Sequence, residues 1–358
     1  MAAGKKITDE PAPPDPVFSR GAIVGHDAAH RHFRQLLDRG GLSHGWILAG
    51  PPGIGKATLA AQIAKAKLAP GALIDGHSLN TDNADNGVRQ VTGLAHPDLI
   101  VARRRYDEKK QRLETEIPVD RIRALTQSLS LTTSGGHGRV AIIDTADEMN
   151  RNAANALLKI LEEPPANTLV LLLSHAPGRL LATIRSRCRR YDLRAVDGAL
   201  VDEFLKRETG VSAQARATIV AAAGGRPGYA LALAENDGAE ILQMAEAFLA
   251  AALSRQSVST IAEQLSKKSA DDQWTIFRDR LVAIMSERAR GAAVANDASG
   301  EAAGQGATRA ANSRLWVRRW EVTNTLCERG ERLNMDRASL LQALAHDLGS
   351  MREAGASQ

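Results

Sequence analysis

Gly50, Gly55 and Lys56 stand at the spacing Gly-x4-Gly-Lys, directly after the apolar run Trp46-Ile-Leu-Ala and directly before the alanine-rich stretch Ala57 to Leu68. Between a strand and a helix, such a loop turns backbone N–H groups toward phosphate oxygens while the lysine reaches the outer phosphates. The cradle would be Gly50, Pro51, Pro52, Gly53, Ile54, Gly55 and Lys56, continued by Ala57 and Thr58. A hydroxyl belongs immediately after the lysine, where it ligates the Mg²⁺ that bridges the outer phosphates. Ala57 has none. Thr58 has one, but a single step along a helix turns a side chain by about 100°, away from the metal.

The second half of such a site is an acid at the end of a buried strand, and Val140 to Ile143 delivers Asp144 there. Hydrolysis also needs a neighbouring carboxylate to deprotonate water. The neighbour is Thr145, whose hydroxyl is no base near neutral pH. Asp147 and Glu148 lie beyond the strand and read as first-turn acids favoured by a helix dipole. Ser174, ending the run Leu169 to Leu173, is a polar residue in the position of a phosphate sensor. Weak or absent hydrolysis is expected, with ATP or ADP as the nucleotide of a degenerate site.

Smaller signals have plainer readings. His26, His30 and His32 share a helical stretch without an acid or cysteine partner at metal spacing, which reads as a solvated face and no metal site. Arg103, Arg104 and Arg105 with Lys109, Lys110 and Arg112 are diluted by Asp107, Glu108, Glu114 and Glu116, the pattern of a solvated hairpin. Cys188 reads as a small buried residue. Arg185, Arg187, Arg189 and Arg190 on their own read as a basic surface stretch.

To position the loop, apolar runs and helical patterns must alternate. Residues 1–20 carry four prolines among charged residues and read as a disordered tail. Helical spacing from His26 to Arg39, the strand before Gly50, an irregular insertion over 70–93, and a strand near Leu99 follow in order. Next come a helix over Val119 to Leu131, a strand over Val140 to Ile143, a helix over Asn152 to Leu161 and a strand over Thr168 to Leu173. That alternation predicts an α/β module with a parallel sheet. After Tyr191 the pattern is helical. The expected divisions are 21–190, a small helical unit over 191–237, and an all-helical unit over 238–358 with a flexible loop at about 291–311.

The chain has 358 residues and a net charge of +5. Residues 1–190 hold 26 Lys and Arg against 19 Asp and Glu, so the positive charge belongs to the phosphate-handling half. Twelve aromatic residues leave little for base-stacking platforms, and two cysteines exclude a disulfide framework. The longest strongly apolar run, Leu169 to Leu173, is far below the roughly 18 to 20 residues that cross a bilayer. With no signal-like opening segment, a cytoplasmic protein without membrane contact is expected.

Four stretches together carry a resemblance: Gly50-Pro-Pro-Gly-Ile-Gly-Lys56, Ile142-Ile-Asp-Thr-Ala-Asp147, Asn152-Ala-Ala-Asn-Ala-Leu-Leu-Lys-Ile-Leu-Glu-Glu-Pro-Pro165 and Thr183-Ile-Arg-Ser-Arg-Cys188. His44, His96-Pro97-Asp98 and Ile117-Pro-Val-Asp-Arg-Ile-Arg123 add to it. The chain resembles the bacterial clamp-loader AAA+ proteins, the group that includes the delta-prime subunits of DNA polymerase III. The resemblance covers roughly residues 20–235. It implies an AAA+ module, a helical lid and a helical collar. It also implies a pentameric ring with ATPase subunits of the tau or gamma type and a delta-type subunit, acting on the sliding clamp and primed DNA at replication forks near the nucleoid. The chain would then be part of a DNA-directed DNA polymerase holoenzyme, a nucleotidyltransferase complex, while hydrolysing little ATP itself. Arg187 matches the family's arginine finger, supplied in trans to a neighbour's ATP. Arg226 falls where a lid can place a second sensor, a role weakened by the following proline. Family members often carry a four-cysteine zinc module, but residues 57–143 contain no cysteine, so no zinc is expected.

Two other readings use the same residues. A self-sufficient AAA+ motor would replace the missing Mg²⁺ ligand with Thr58 or a water and use Glu148 as base. A free-standing nucleic-acid module would bind DNA with a steep salt dependence, which the modest charge and few aromatics oppose.

Overall fold

The structure is a computed structural model that describes residues 23–107, 112–131, 133, 135–267, 271–297, 303–333 and 335–351. The tail expected over 1–20 and the hairpin residues Lys109 and Lys110 lie outside the described residues. The chain divides into two compact units, one comprising residues up to 204 together with 224–229, the other 205–223 and residues from 230 onward.

The first unit is built on a five-stranded parallel sheet. Its strands are β1 (Gly45–Ala49), β2 (Leu99–Ala102), β5 (Arg139–Ile143), β6 (Thr168–Ser174) and β7 (Arg189–Asp192), in the order β2-β5-β6-β1-β7. β3 (Tyr106–Asp107) and β4 (Arg112–Leu113) form a separate antiparallel pair. β1, β5 and β6 are buried along their whole length, as near-continuous apolar strands covered on both faces must be. Successive side chains alternate between the faces. Trp46, Leu48, Val140, Ile142, Leu169, Leu171 and Leu173 join one core with Phe33, Leu59 and Ile63, whereas Ile47, Ala141, Ile143, Val170 and Leu172 join the other with Ile122, Leu125, Leu157 and Ile160.

The helices supplying these cores are α1 (Asp27–Asp38), α2 (Lys56–Leu68), α3 (Asn86–Thr92), α4 (Val119–Leu129), α5 (Arg151–Glu162) and the short α6 (Ala182–Arg185). The alanines of α2 let it lie deep in the first core, with ten of its residues buried. Asn150 starts α5 by accepting a hydrogen bond from the Ala153 amide at 2.9 Å, and α5 ends before Pro164 and Pro165, which cannot continue it.

α7 (Gly198–Glu208), α8 (Ala213–Ala223) and α9 (Pro227–Glu235) follow. The second unit continues with α10 (Gly238–Leu253), α11 (Ser259–Leu265), α12 (Asp271–Asp297), α13 (Ala303–Leu333) and α14 (Arg337–Ser350). Phe248 and Phe277 meet edge to face at 5.4 Å inside it.

The expected α/β fold with a parallel sheet, followed by helices, is the observed one. Two local expectations change, and one strand is added. The insertion over 70–93 contains α3, which Asp85 caps through the Val88 amide at 3.0 Å, and a short 3-10 turn at Pro70–Ala72. The loop expected over 291–311 is largely helical, since α12 runs to Asp297 and α13 begins at Ala303, with 298–302 outside the described residues. β7 has no apolar run because it is an edge strand with mostly exposed side chains.

Candidate functional site

The C-terminal ends of β1, β5 and β6 bring Gly50, Asp144 and Ser174 to one edge of the sheet. The Gly50 amide donates to the Ser174 carbonyl at 3.2 Å, tying the loop to the neighbouring strand. Gly53 has φ +76°, and a Cβ there would fall 2.5 Å from the Tyr229 nitrogen. The position therefore needs glycine both for its backbone and for its contact. The Gly53 carbonyl accepts from the Gly228 amide at 2.8 Å, and Arg226 lies over the Tyr229 ring at 4.1 Å. On the other side, His26 Nε2 is 2.9 Å from the carbonyl of fully buried Ile54.

Lys56 opens α2 and is itself buried. Its Nζ donates to the Gly50 carbonyl at 2.6 Å and the Pro51 carbonyl at 2.9 Å, and lies 2.7 Å from His175 Nδ1. An ammonium has three N–H groups, so in the neutral His175 tautomer that carries its proton on Nε2 all three have acceptors within the protein. Burial pulls the lysine down to about 8, against the opposing attraction of Asp144 and Asp147. Burial raises Asp144 above the usual carboxylate range, opposed by Arg103 and Lys56.

A pH dependence follows. Phosphate favours the protonated amine, so the contribution of Lys56 to pyrophosphate affinity stays level while the free lysine is protonated, below about pH 8. Above that it falls by up to about tenfold per pH unit, until the raised pKa of the bound form is reached. Calorimetric titration at pH 7 and pH 9.5 checks this; equal affinities would remove Lys56 from the site.

The two acids beyond Asp144 do not begin a helix as expected. They lie in a 3-10 turn, Ala146–Glu148, reached through Thr145 at φ +58°, because the α5 cap comes only at Asn150. Asp147 accepts from Ser174 Oγ, from the His175 amide and, at 3.1 Å, from the Ala176 amide. It is the brace of the loop after β6. Glu148 pairs with Arg104 at 2.5 Å, and burial is the main force raising its pKa. Arg104 thus belongs to the sheet edge rather than to a solvated hairpin. Ala57 packs against the first core.

Arg187 lies at the opposite edge of the sheet. Cys188, its neighbour, has its sulfur 3.0 Å from where a Cβ of Gly45 would sit, at the start of β1. The loop begins where β1 ends, four residue steps or about 13 Å along the strand. Arg187 Nη2 pairs with Glu162 at 2.8 Å and Nη1 donates to the Thr183 carbonyl at 3.1 Å, leaving the side chain 36% exposed. The nearby Arg190 pairs with Asp192, and Arg185 donates to the Gly178 carbonyl.

Burial pushes the Cys188 thiol up to about 12. At pH 7.5 it should hold roughly a thousandfold less thiolate than an ordinary thiol and alkylate correspondingly slowly. Peptide-level mass spectrometry after iodoacetamide treatment of the native protein measures this; labelling at the rate of a surface thiol would contradict it.

The histidines of α1 do not form a solvated face. His26 and His30 are buried, with His30 Nδ1 accepting from the Leu79 amide at 3.4 Å, while His32 is exposed and stacks with Tyr191 at 5.3 Å. Asp98, from the His96-Pro97-Asp98 stretch, is a buried structural acid 3.5 Å from Arg139 Nε and accepting from the Gly135 amide. Among the described residues no group of three or more His, Cys, Asp or Glu is placed to hold a metal, and no helix is long and apolar enough to cross a membrane.

His175 and the bracing role of Asp147 escape the sequence reading. The available signal was position: His175 directly follows the buried strand that pairs with the loop strand.

Residues 25–197 match the family described as DNA polymerase III, delta subunit. Over this α/β module the chain is similar to the delta-prime subunits of DNA polymerase III. The chain is 35% identical to DNA polymerase III subunit delta' of Pseudomonas aeruginosa over 196 residues, 54% of this chain and 57% of that protein. It is 35% identical to the Escherichia coli subunit delta' over 151 residues, 42% of this chain and 43% of that protein. DNA polymerase III subunit tau of Bacillus subtilis is 27% identical over 259 residues, 70% of this chain and 44% of that protein. The chain spans about half the length of these curated relatives.

Proposed function

We propose that the chain is a delta-prime-like subunit of a DNA polymerase III clamp loader, a cytoplasmic partner in DNA replication that supplies Arg187 to a neighbour's ATP while its own site turns over little or none. The partners are ATPase subunits of the tau or gamma type and a delta-type subunit in a pentameric ring that loads the sliding clamp onto primed DNA. Residues 191–237 serve as lid and 238–358 as the collar that joins the ring. Gly50 to Thr58 and Asp144 form the remnant nucleotide site.

The observation that carries this reading is the contrast between the two sheet edges. At one, every N–H of the loop lysine has an internal acceptor, the residue after it is Ala57, and both acids beyond Asp144 are engaged. At the other, a half-buried arginine stands on a short element, held by the surface carboxylate of Glu162 and the Thr183 carbonyl rather than by a core contact, next to Cys188 at the start of β1. A guanidinium so placed can neutralise charge developing on a phosphate that approaches from outside the chain. The self-sufficient motor needs Glu148 as base, and its ion pair with Arg104 opposes that.

Steady-state ATP turnover of the chain alone, of the ATPase partners alone and of the mixture tests the proposal. Turnover near zero for the isolated chain and stimulation of the partners are expected. Partner-like turnover by the chain alone would overturn it.

A further inference from the structure

We propose that His175 is a positioning residue that competes with phosphate for the loop lysine, its Nδ1 occupying the one Lys56 N–H not taken by the loop's own carbonyls. The inference rests on reading residues 50–58 as a phosphate cradle. It adds a specific latch that weakens phosphate binding independently of the missing Mg²⁺ ligand.

The latch follows from the sheet. β1 and β6 run parallel with Ala49 beside Ser174, so Gly50 and His175 leave the sheet side by side. The His175 backbone cannot drift, because the Asp147 carboxylate accepts from its amide, from the next amide at Ala176 and from the Ser174 hydroxyl before it. That brace sets the imidazole 2.7 Å from Lys56 Nζ, while the Gly50 and Pro51 carbonyls take the other two N–H groups. Burial first, and the Lys56 charge second, hold His175 below the usual histidine value, which favours the neutral ring that can accept from an ammonium. A phosphate bound by the loop must therefore displace one of these three acceptors, and the imidazole is the one that the loop itself does not supply.

Removing the acceptor leaves one ammonium N–H buried without a partner until phosphate arrives. Hydrogen bonds to charged groups are worth enough that the His175→Ala protein should bind pyrophosphate, in the absence of divalent cations, roughly tenfold or more tightly. His175→Gln, whose Oε1 can accept from the ammonium, should stay within about threefold of the unsubstituted protein. His175→Phe fills the space without an acceptor and should follow the alanine variant, which keeps the test alive if that variant folds poorly. A second readout bypasses binding. Acetic anhydride should acetylate Lys56 faster in the alanine and phenylalanine variants than in the glutamine variant, a difference that a merely structural role would not produce.

Unchanged or weaker pyrophosphate binding by the folded alanine or phenylalanine variant would overturn the latch and leave the Arg187 proposal standing. ATP hydrolysis by the isolated alanine variant at partner-like rates would overturn the inert-site reading and support the latch. Tighter binding without hydrolysis supports both.

Discussion

Replacing Arg187 with alanine should slow ATP hydrolysis at the adjoining subunit's site by about 10³- to 10⁵-fold, the range that an arginine supplied in trans contributes to phosphoryl transfer. Arg187→Lys should recover little, since a lysine ammonium lacks the planar fork that spans two phosphate oxygens. The folded chain itself should barely change. The pair with Glu162 is partly solvated, with the side chains 36% and 47% exposed, and surface pairs of this kind contribute under about 1 kcal/mol. Single-turnover hydrolysis in the reconstituted complex, read at the site facing this chain, is the measurement. Hydrolysis within a few-fold of the unsubstituted complex would refute the assignment. The effect should be confined to the complex, because Arg187 and the chain's own loop lie at opposite ends of β1, too far apart for action in cis.

Phe33→Ala should destabilise the α/β unit by about 3–5 kcal/mol, the usual cost of emptying a buried phenylalanine site. Phe33 is fully buried and anchors α1 on the sheet. Its ring meets Trp46 of β1 at 4.9 Å and Tyr191 of β7 at 5.3 Å, so one side chain ties the helix to the central loop strand and to the edge strand. Aromatic pairs of this geometry add to plain area burial. Urea unfolding followed by tryptophan fluorescence should show the lower midpoint. His32→Ala, at an exposed neighbouring position, should change stability far less. A loss under about 1 kcal/mol for Phe33→Ala would mean that α1 is not an integral part of the core.

The central strands were legible because burial on both faces demands apolar runs, and Trp46 to Ala49, Val140 to Ile143 and Leu169 to Leu173 are such runs. The loop was legible because its glycines and lysine stand at a fixed spacing between two such signals. β7 was not, since Arg189, Arg190 and Asp192 at an exposed edge need no apolar pattern. The helices entering 291–311 were hidden by Gly and Asn, residues of weak helix propensity. His26 and His30 show the same limit: their polarity suggested solvent, but packing of α1 placed His26 against the Ile54 carbonyl and His30 against Leu79.

By itself the sequence determined the α/β order, the position of the phosphate-type loop, the absence of a hydroxyl at Ala57 and of a carboxylate at Thr145, and the Ser-Arg-Cys stretch around Arg187. These are local facts of residue type and spacing. Only the tertiary structure decided what those residues face. Parallel pairing of β1 with β6 sets His175 beside Lys56, the 3-10 turn after β5 swings Asp147 under the same loop, and the strand direction puts Arg187 at the far edge. Each depends on residues distant in the chain meeting through strand register, which spacing along one segment cannot encode.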